Sequence, residues 1–300
     1  MTLPLPFRLG HVHSYLLPGA DGWTVVDTGL GLPGARERWA DELRSLDGPV
    51  GRIFVTHYHP DHVGASTDLI ELTGAPLYQG TRDHEQCVLT WGTDRSHPVE
   101  DWFTRHGMPP TLAARLGAET ALIRSAVHFA ADAILVDEGD EIDGWELVAA
   151  PGHADGQLTL LRDGVLIGGD HLLAPISPAI GLWPASNADP LGDYFDALAR
   201  TIDIAPRLVL PGHHDPIEDP SARARELISH HRERLDATVR AVSAGPRTAH
   251  DVSGALFGDR LSDSDQRFAV TEALSHLERL VIEDRAASHE QSGIVTYTAA

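Results

Sequence analysis

Four side chains able to bind a metal ion, His57, His59, Asp61 and His62, fall within six residues of one another. Imidazole and carboxylate groups are the donors that suit zinc, iron or manganese. The cluster directly follows the apolar run Ile53-Phe54-Val55 and Thr56. It therefore sits at the end of a buried strand, where polar groups must find partners. A histidine-rich surface turn would carry the same letters, and this segment alone does not separate the two readings.

Further along, one format recurs three times. Trp145–Ala150 leads into Pro151-Gly152-His153, Val165–Gly169 into Asp170, and Arg207–Leu210 into Pro211-Gly212-His213. Each is an apolar strand, a glycine and then a metal-competent residue. Glycine lets the backbone turn sharply and approach a site closely, so four strands delivering donors at one end can converge on a point. His171 and His214 each directly follow such a donor. Neighbours on an extended segment point apart, so both are read as non-ligands. His11 and His13, with no carboxylate nearby, are read as ordinary strand histidines.

The elements that must hold these residues are legible from periodicity. Ser14–Leu17 and Trp23–Val26, with the turn residues Pro18–Gly22 between them, read as a hairpin ending in Asp27-Thr28-Gly29. Residues 34–46 form an amphipathic helix with Trp39, Leu43 and Leu46 on one side. Pro60 favours a loop through the histidine cluster, with a helix from Val63 to Leu72 after it. Residues 81–133 interrupt the strand–helix rhythm with a helical, aromatic-bearing insertion, either a lid over a substrate pocket or a segment with its own small core. Beyond it, Leu227, Ile228, His231, Leu235, Val239 and Val242 recur at helical spacing. Thr248 caps a short helix through Leu256, Ser264 opens another, and Ile294–Tyr297 reads as a strand.

Composition narrows the class. Three hundred residues, 42% hydrophobic and 22% charged, describe a globular chain of about one or two domains. No run reaches the length of a membrane span, and the N-terminus lacks the features of a signal peptide. The single cysteine, Cys87, excludes an internal disulfide. A cytoplasmic protein is expected. The formal charge is -21, and all 23 basic residues are arginines. Residues 1–222 carry 32 acidic and 13 basic groups, and residues 223–300 carry 12 and 10. A field of that sign repels polyphosphates, so no nucleic-acid partner is expected.

With the motif His57-x-His59-x-Asp61-His62 followed in order by His153, Asp170 and His213, residues 7–218 resemble the metallo-β-lactamase superfamily. The resemblance implies an α/β, four-layer αββα sandwich over residues 1–222. It also implies two divalent metal ions, zinc first, with iron or manganese compatible. His57, His59 and His153 would hold one ion, Asp61, His62 and His213 the other, and Asp170 would bridge them. Residues 223–300 resemble the small winged-helix-like domain appended in the glyoxalase II and β-lactamase-like protein 2 branch. Their charge favours a packing or dimerisation role over DNA binding, so a homodimer is compatible with the sequence.

The implied activity is hydrolysis of a thioester or another small ester-like acyl substrate by a metal-bridging hydroxide, with Asp61 also orienting that nucleophile. Asp27, at its strand end, is assigned as an outer carboxylate that orients a ligand histidine. A metal-dependent endoribonuclease is the alternative activity. A ligand- or DNA-binding protein with an idle metal site is the non-enzymatic one. The chain departs from glyoxalase II in lacking any lysine, which leaves no evident basic set for glutathione.

Overall fold

The structure is a computed structural model that describes residues 1–92, 99–258 and 260–300. In chain order it runs β1 (Thr2–Pro4), β2 (His11–His13), β3 (Tyr15–Gly19), β4 (Gly22–Val26), α1 (Ala35–Arg44), β5 (Val50–Val55), α2 (Pro60–Val63), α3 (Ser66–Thr73) and β6 (Leu77–Gly80). The insertion contributes α4 (Thr81–Trp91), α5 (Val99–Arg105) and α6 (Pro110–Arg124), followed by β7 (Ile134–Val136). Then come β8 (Glu141–Ile142), β9 (Trp145–Ala149), β10 (Leu158–Arg162), β11 (Val165–Gly169), α7 (Pro190–Ile204) and β12 (Leu208–Pro211). The C-terminal part is α8 (Pro220–Val242), α9 (Ala249–Phe257), α10 (Asp263–Ile282), β13 (Ala286–Gln291) and β14 (Ile294–Ala299).

Strand residues alternate between two cores, and that alternation builds the layers. In β4 and β5, Val25, Ile53 and Val55 face a core shared with Trp39 of α1, Leu69 of α3 and Cys87 of α4. Val26 and Phe54 face the opposite way, into a core shared with Leu147, Leu158, Leu160 and Ile167 of the second sheet. Leu166 and Val209, on that sheet's far face, pack with α7 and α8. The result is helices, a sheet ordered β3-β4-β5-β6-β7, a sheet ordered β12-β11-β10-β9-β8, and helices again. This is the expected αββα sandwich. Strands covered on both faces read as continuous apolar runs rather than as alternating ones, which is why Ile53-Phe54-Val55 looks uniformly hydrophobic.

Topology also brings the donor-bearing strand ends together. β11 and β12 are parallel neighbours, and β9 is antiparallel to β10, which is antiparallel to β11. Hence β9, β11 and β12 run the same way and end at one edge, where β5 of the other sheet also ends.

Three local readings need correction. The histidine motif is not a loop throughout: Pro60 opens α2, so Asp61 and His62 lie in a helical turn. Proline at the first helical position has no intrahelical hydrogen bond to lose and already has the required φ. The single helix expected over residues 63–72 is instead the tail of α2 and a separate α3, ended by Gly74 at φ 71°. At the other end of the chain, α10 is capped by Ser262 rather than Ser264, while Thr248 caps α9 through a capping box with Asp251.

The insertion is helical in its described part; residues 93–98 lie outside the described residues. Phe103, Met108, Leu112 and Leu116 from α5 and α6 share a core with Val252, Val270, Leu274, Leu277 and Tyr297 of α9, α10 and β14. Helix α8 serves both this core and the sandwich: Leu227 and Leu235 belong to the sandwich side, and Val242 to the helical side.

Candidate metal centre

His57, the first residue after Thr56, is fully buried. The Thr56 hydroxyl donates to Asp27 Oδ2 at 2.9 Å, so its oxygen accepts from His57 Nδ1 at 3.0 Å and leaves Nε2 with a lone pair. His153 Nδ1 donates to the Ala179 carbonyl at 2.9 Å, which likewise leaves its Nε2 as a bare acceptor. Both lone pairs point at His59 Nδ1, at 3.1 Å from His57 and 2.8 Å from His153. One ring nitrogen carries at most one proton, so this triad cannot be satisfied by hydrogen bonds alone. A cation satisfies it.

The second half is built the same way. His62 Nδ1 donates to Asp27 Oδ2 at 2.8 Å, and His213 Nδ1 donates to the His11 carbonyl at 2.6 Å. Their Nε2 atoms, together with Asp170 Oδ1, are buried without hydrogen-bond partners. His62 Nε2 lies 3.4 Å from Asp170 Oδ1, and His213 Nε2 lies 3.3 Å from both Asp61 Oδ2 and Asp170 Oδ2. Three sets can each bring donor atoms within 4.8 Å of one another: His57, His59 and His153; His57, His62 and Asp170; and Asp61, His62 and His213. All seven residues singled out from the sequence are therefore brought together, and Asp27 sits behind His62 and Thr56.

Electrostatics divide the cluster. Burial holds His57 well below the ordinary imidazole pKa, lowers His153 and pushes His59 down to about 3, so these rings are neutral and ready to ligate. Burial also opposes a charge on His62 and His213, but there the carboxylates win. Asp170, Asp27 and Asp61 hold His62 well above its ordinary value, and Asp170 and Asp61 raise His213 to about 10. Asp61 and Asp170 are lowered in return, because His213 and His62 outweigh the burial that disfavours their charge. Without metal, protons gather where a cation belongs, and metal binding displaces them.

The backbone is fitted to this packing. Gly212 passes so close that a Cβ there would lie 2.5 Å from Asp170 Oδ1 and 2.7 Å from His62 Cε1. Gly152, before His153, combines a φ of 125° with an approach to Tyr194 of 2.4 Å for a Cβ. Both glycines of the Pro-Gly-His segments are thus required by space, and Gly152 also by conformation.

The sequence comparisons agree with the geometry. Residues 7–213 match the family described as the metallo-beta-lactamase superfamily, and residues 235–300 match the metallo-beta-lactamase-like C-terminal domain. The chain belongs to the metallo-β-lactamase superfamily. It is 28% identical to a probable metallo-hydrolase, YqjP, of Bacillus subtilis, covering 99% of this chain and 96% of that one. It is 24% identical to a beta-lactamase-like protein 2 homolog of Caenorhabditis elegans, over 85% of this chain and 74% of that one. The crystal structure of a beta-lactamase domain protein from Burkholderia ambifaria superimposes with a TM-score of 0.91 at 30% identity, covering 100% of this chain and 91% of that one. As a metallo-hydrolase of this superfamily, the protein performs metal-dependent hydrolysis with divalent ions at the His/Asp clusters.

Several supporting residues escape sequence reasoning. Asp83 Oδ1 accepts from the Tyr58 amide at 2.9 Å, and Trp91 Nε1 donates to the Tyr58 carbonyl at 2.7 Å, so α4 pins the histidine loop from both sides. Asp83 is fully buried, and burial lifts its pKa to about 7. Asp155 does the same for the His153 loop, accepting from Arg82 and Gln86, each at 2.9 Å. His11 acts through its carbonyl rather than its ring, which no pattern of side-chain types reveals.

His171 turns away to Thr201 Oγ1 at 2.7 Å, and neither it nor His214 enters a donor set. A cavity of about 330 Å³ between the insertion and the C-terminal domain is lined by Trp102, Trp183 and Tyr297 among others, and by none of the candidate ligands. Among the described residues, no helix is long and apolar enough to cross a membrane.

Proposed function

We propose that the protein is a dinuclear metal-dependent hydrolase of a thioester or another small ester-like acyl substrate. The observation that carries this reading is the pair of donor triads, His57–His59–His153 and Asp61–His62–His213, with Asp170 reaching toward both. Its Oδ2 lies 3.5 Å from His153 Nε2 and 3.3 Å from His213 Nε2. His57, His59 and His153 would hold one ion, Asp61, His62 and His213 the other, and Asp170 both. The donor set suits zinc first, with iron or manganese as substitutes. When bound, the ions supply Lewis acidity toward a carbonyl and make water acidic enough to react at neutral pH.

The chain's own residues do the rest. Asp27 and the His11 carbonyl fix the ring orientations of His62 and His213, which keeps their free nitrogens aimed inward. Asp61, besides ligating, would orient the attacking water. Asp83 and Trp91 hold the Tyr58 peptide and so set the spacing between His57 and His59. A neutral acyl substrate is favoured over a polyanion because the chain carries a net charge of -21.

A panel of acyl thioesters and single-stranded RNA, assayed with zinc or manganese, tests this reading. Thioester hydrolysis is the expected result. RNA cleavage without it would replace the acyl assignment with an endoribonuclease.

A further inference from the structure

A second histidine-rich cluster lies outside the catalytic centre, between α8 and α10. Glu272 and His276 are one turn apart on α10, a spacing that places both on one face of the helix. His231 of α8 meets them there. One donor atom from each of the three lies within 4.8 Å of the others, and all three residues are buried. His276 Nδ1 donates to the Glu272 carbonyl at 2.8 Å, which fixes the tautomer and leaves Nε2 with a lone pair 3.2 Å from His231 Nδ1. That is the arrangement of a metal ligand whose second nitrogen is anchored to an acceptor.

Hydrogen bonding leaves this cluster unfinished. His231 Nε2 is buried without a partner. The Glu272 carboxylate, in a residue only 8% exposed, makes no hydrogen bond or ion pair among the described residues. A buried carboxylate so isolated is costly, and natural structures rarely tolerate it without a cation or a proton. The charged neighbour is Arg234, but its guanidinium lies over the Phe257 ring, 4.4 Å from the centroid, and its buried Nη1 is itself unpartnered.

We propose that His231, Glu272 and His276 form a further metal site that takes a zinc-class divalent cation. Two imidazoles and one carboxylate select zinc, cobalt or nickel over magnesium or calcium. The ion would join the first and last helices of the C-terminal part. It would do so directly behind the catalytic wall: the Tyr194 ring stands edge-on to His231 at 5.5 Å, and the Tyr194 hydroxyl donates to the His171 carbonyl at 3.0 Å. Its role would be structural, tying α10 to α8 outside the strand-end donor sets.

Metal content tests it without reference to activity. Wild-type protein, loaded with zinc and freed of excess, and the Glu272→Gln and His276→Gln variants are compared by elemental mass spectrometry. Each folded variant is expected to hold one ion fewer per chain than the wild type. Because either variant could fail to fold, anomalous diffraction at the zinc edge from wild-type crystals grown with zinc chloride gives an independent reading. A peak between His231 and His276 is the expected result. Density at the strand-end centre with none between α8 and α10, or equal zinc content in folded variants and wild type, overturns the proposal.

Discussion

Among the described residues there are two buried histidine clusters able to hold a metal, and their surroundings differ in one respect. At the strand ends, His62 and His213 face Asp27, Asp61 and Asp170, and their affinity for a proton is raised. Between α8 and α10, His231 is pushed down to about 2 and His276 to about 4 by burial, and Glu272 is the acid in their donor set. Both clusters leave ring nitrogens unpartnered. Only the first concentrates negative charge strongly enough to hold positive charge at neutral pH whatever its source. The lesson is that donor geometry marks where a metal fits, whereas the carboxylate count decides how strongly it is held and whether it can do chemistry. The strand-end centre is the charge-rich cluster, and the helical one, with Arg234 beside it, is expected to be the weaker binder.

That contrast predicts a graded set of effects. The largest follows from His59→Ala, which removes one donor from the neutral triad. Hydrolysis, followed as kcat/KM on an acyl thioester, is expected to fall by more than about 10³-fold, with metal content falling in parallel. His276→Gln should leave that rate close to the wild-type value. Equal losses from the two variants would erase the distinction between the clusters.

Gly212→Ala comes next. Its methyl group would meet Asp170 Oδ1 and His62 Cε1 at 2.5 and 2.7 Å, so ligands must move, and displacements of about 1 Å cost about 10²-fold in rate. A crystal structure of the variant should show Asp170 shifted, while its thermal stability changes little.

Asp27 supplies a smaller effect. Asp27→Asn keeps an acceptor for His62 but loses the charge, and Asp27→Ala loses both. Metal affinity, measured by competition with a chelator, is expected to fall about 10-fold and about 100-fold respectively. Unchanged affinity in both variants would remove Asp27 from the site.

The smallest effect concerns pH, in the helical region alone. Burial lowers His106 to about 4, and its Nδ1 is unpartnered. In the unfolded chain this histidine takes up a proton near pH 6.5, whereas in the folded chain it resists until about 4. The unfolded state therefore binds more protons in that window, and stability falls as pH drops through it. His106→Gln should flatten this acid limb in thermal melts between pH 6.5 and 4. A melt profile parallel to that of the wild type would exclude His106 as its source.

Much of the strand-end centre was legible in the sequence, because its logic is local. Each donor follows an apolar strand, and Gly152, Gly169 and Gly212 announce the close approach. The αββα layering was carried by the same strands together with the family motif. What escaped depends on partners distant in the chain. Asp83 looks like an ordinary acid in the first turn of a helix, and its role at Tyr58 appears only once α4 folds back on the histidine loop. His11 supplies a carbonyl, which every residue has. His231, read as one more apolar-face position of a long helix, gains meaning only when α10 brings Glu272 and His276 beside it. The break between α2 and α3 was hidden because Val63–Leu72 has unbroken helical periodicity while Pro60 starts the turn earlier.

On the proposed reading, acyl hydrolysis depends on two ions at the strand-end centre. That dependence is tested most directly by adding zinc back to metal-stripped His276→Gln protein and following thioester hydrolysis against bound zinc. No rate is expected without metal, and the rate should saturate at two ions per chain. Saturation at one ion, or hydrolysis that survives stripping, would contradict that reading.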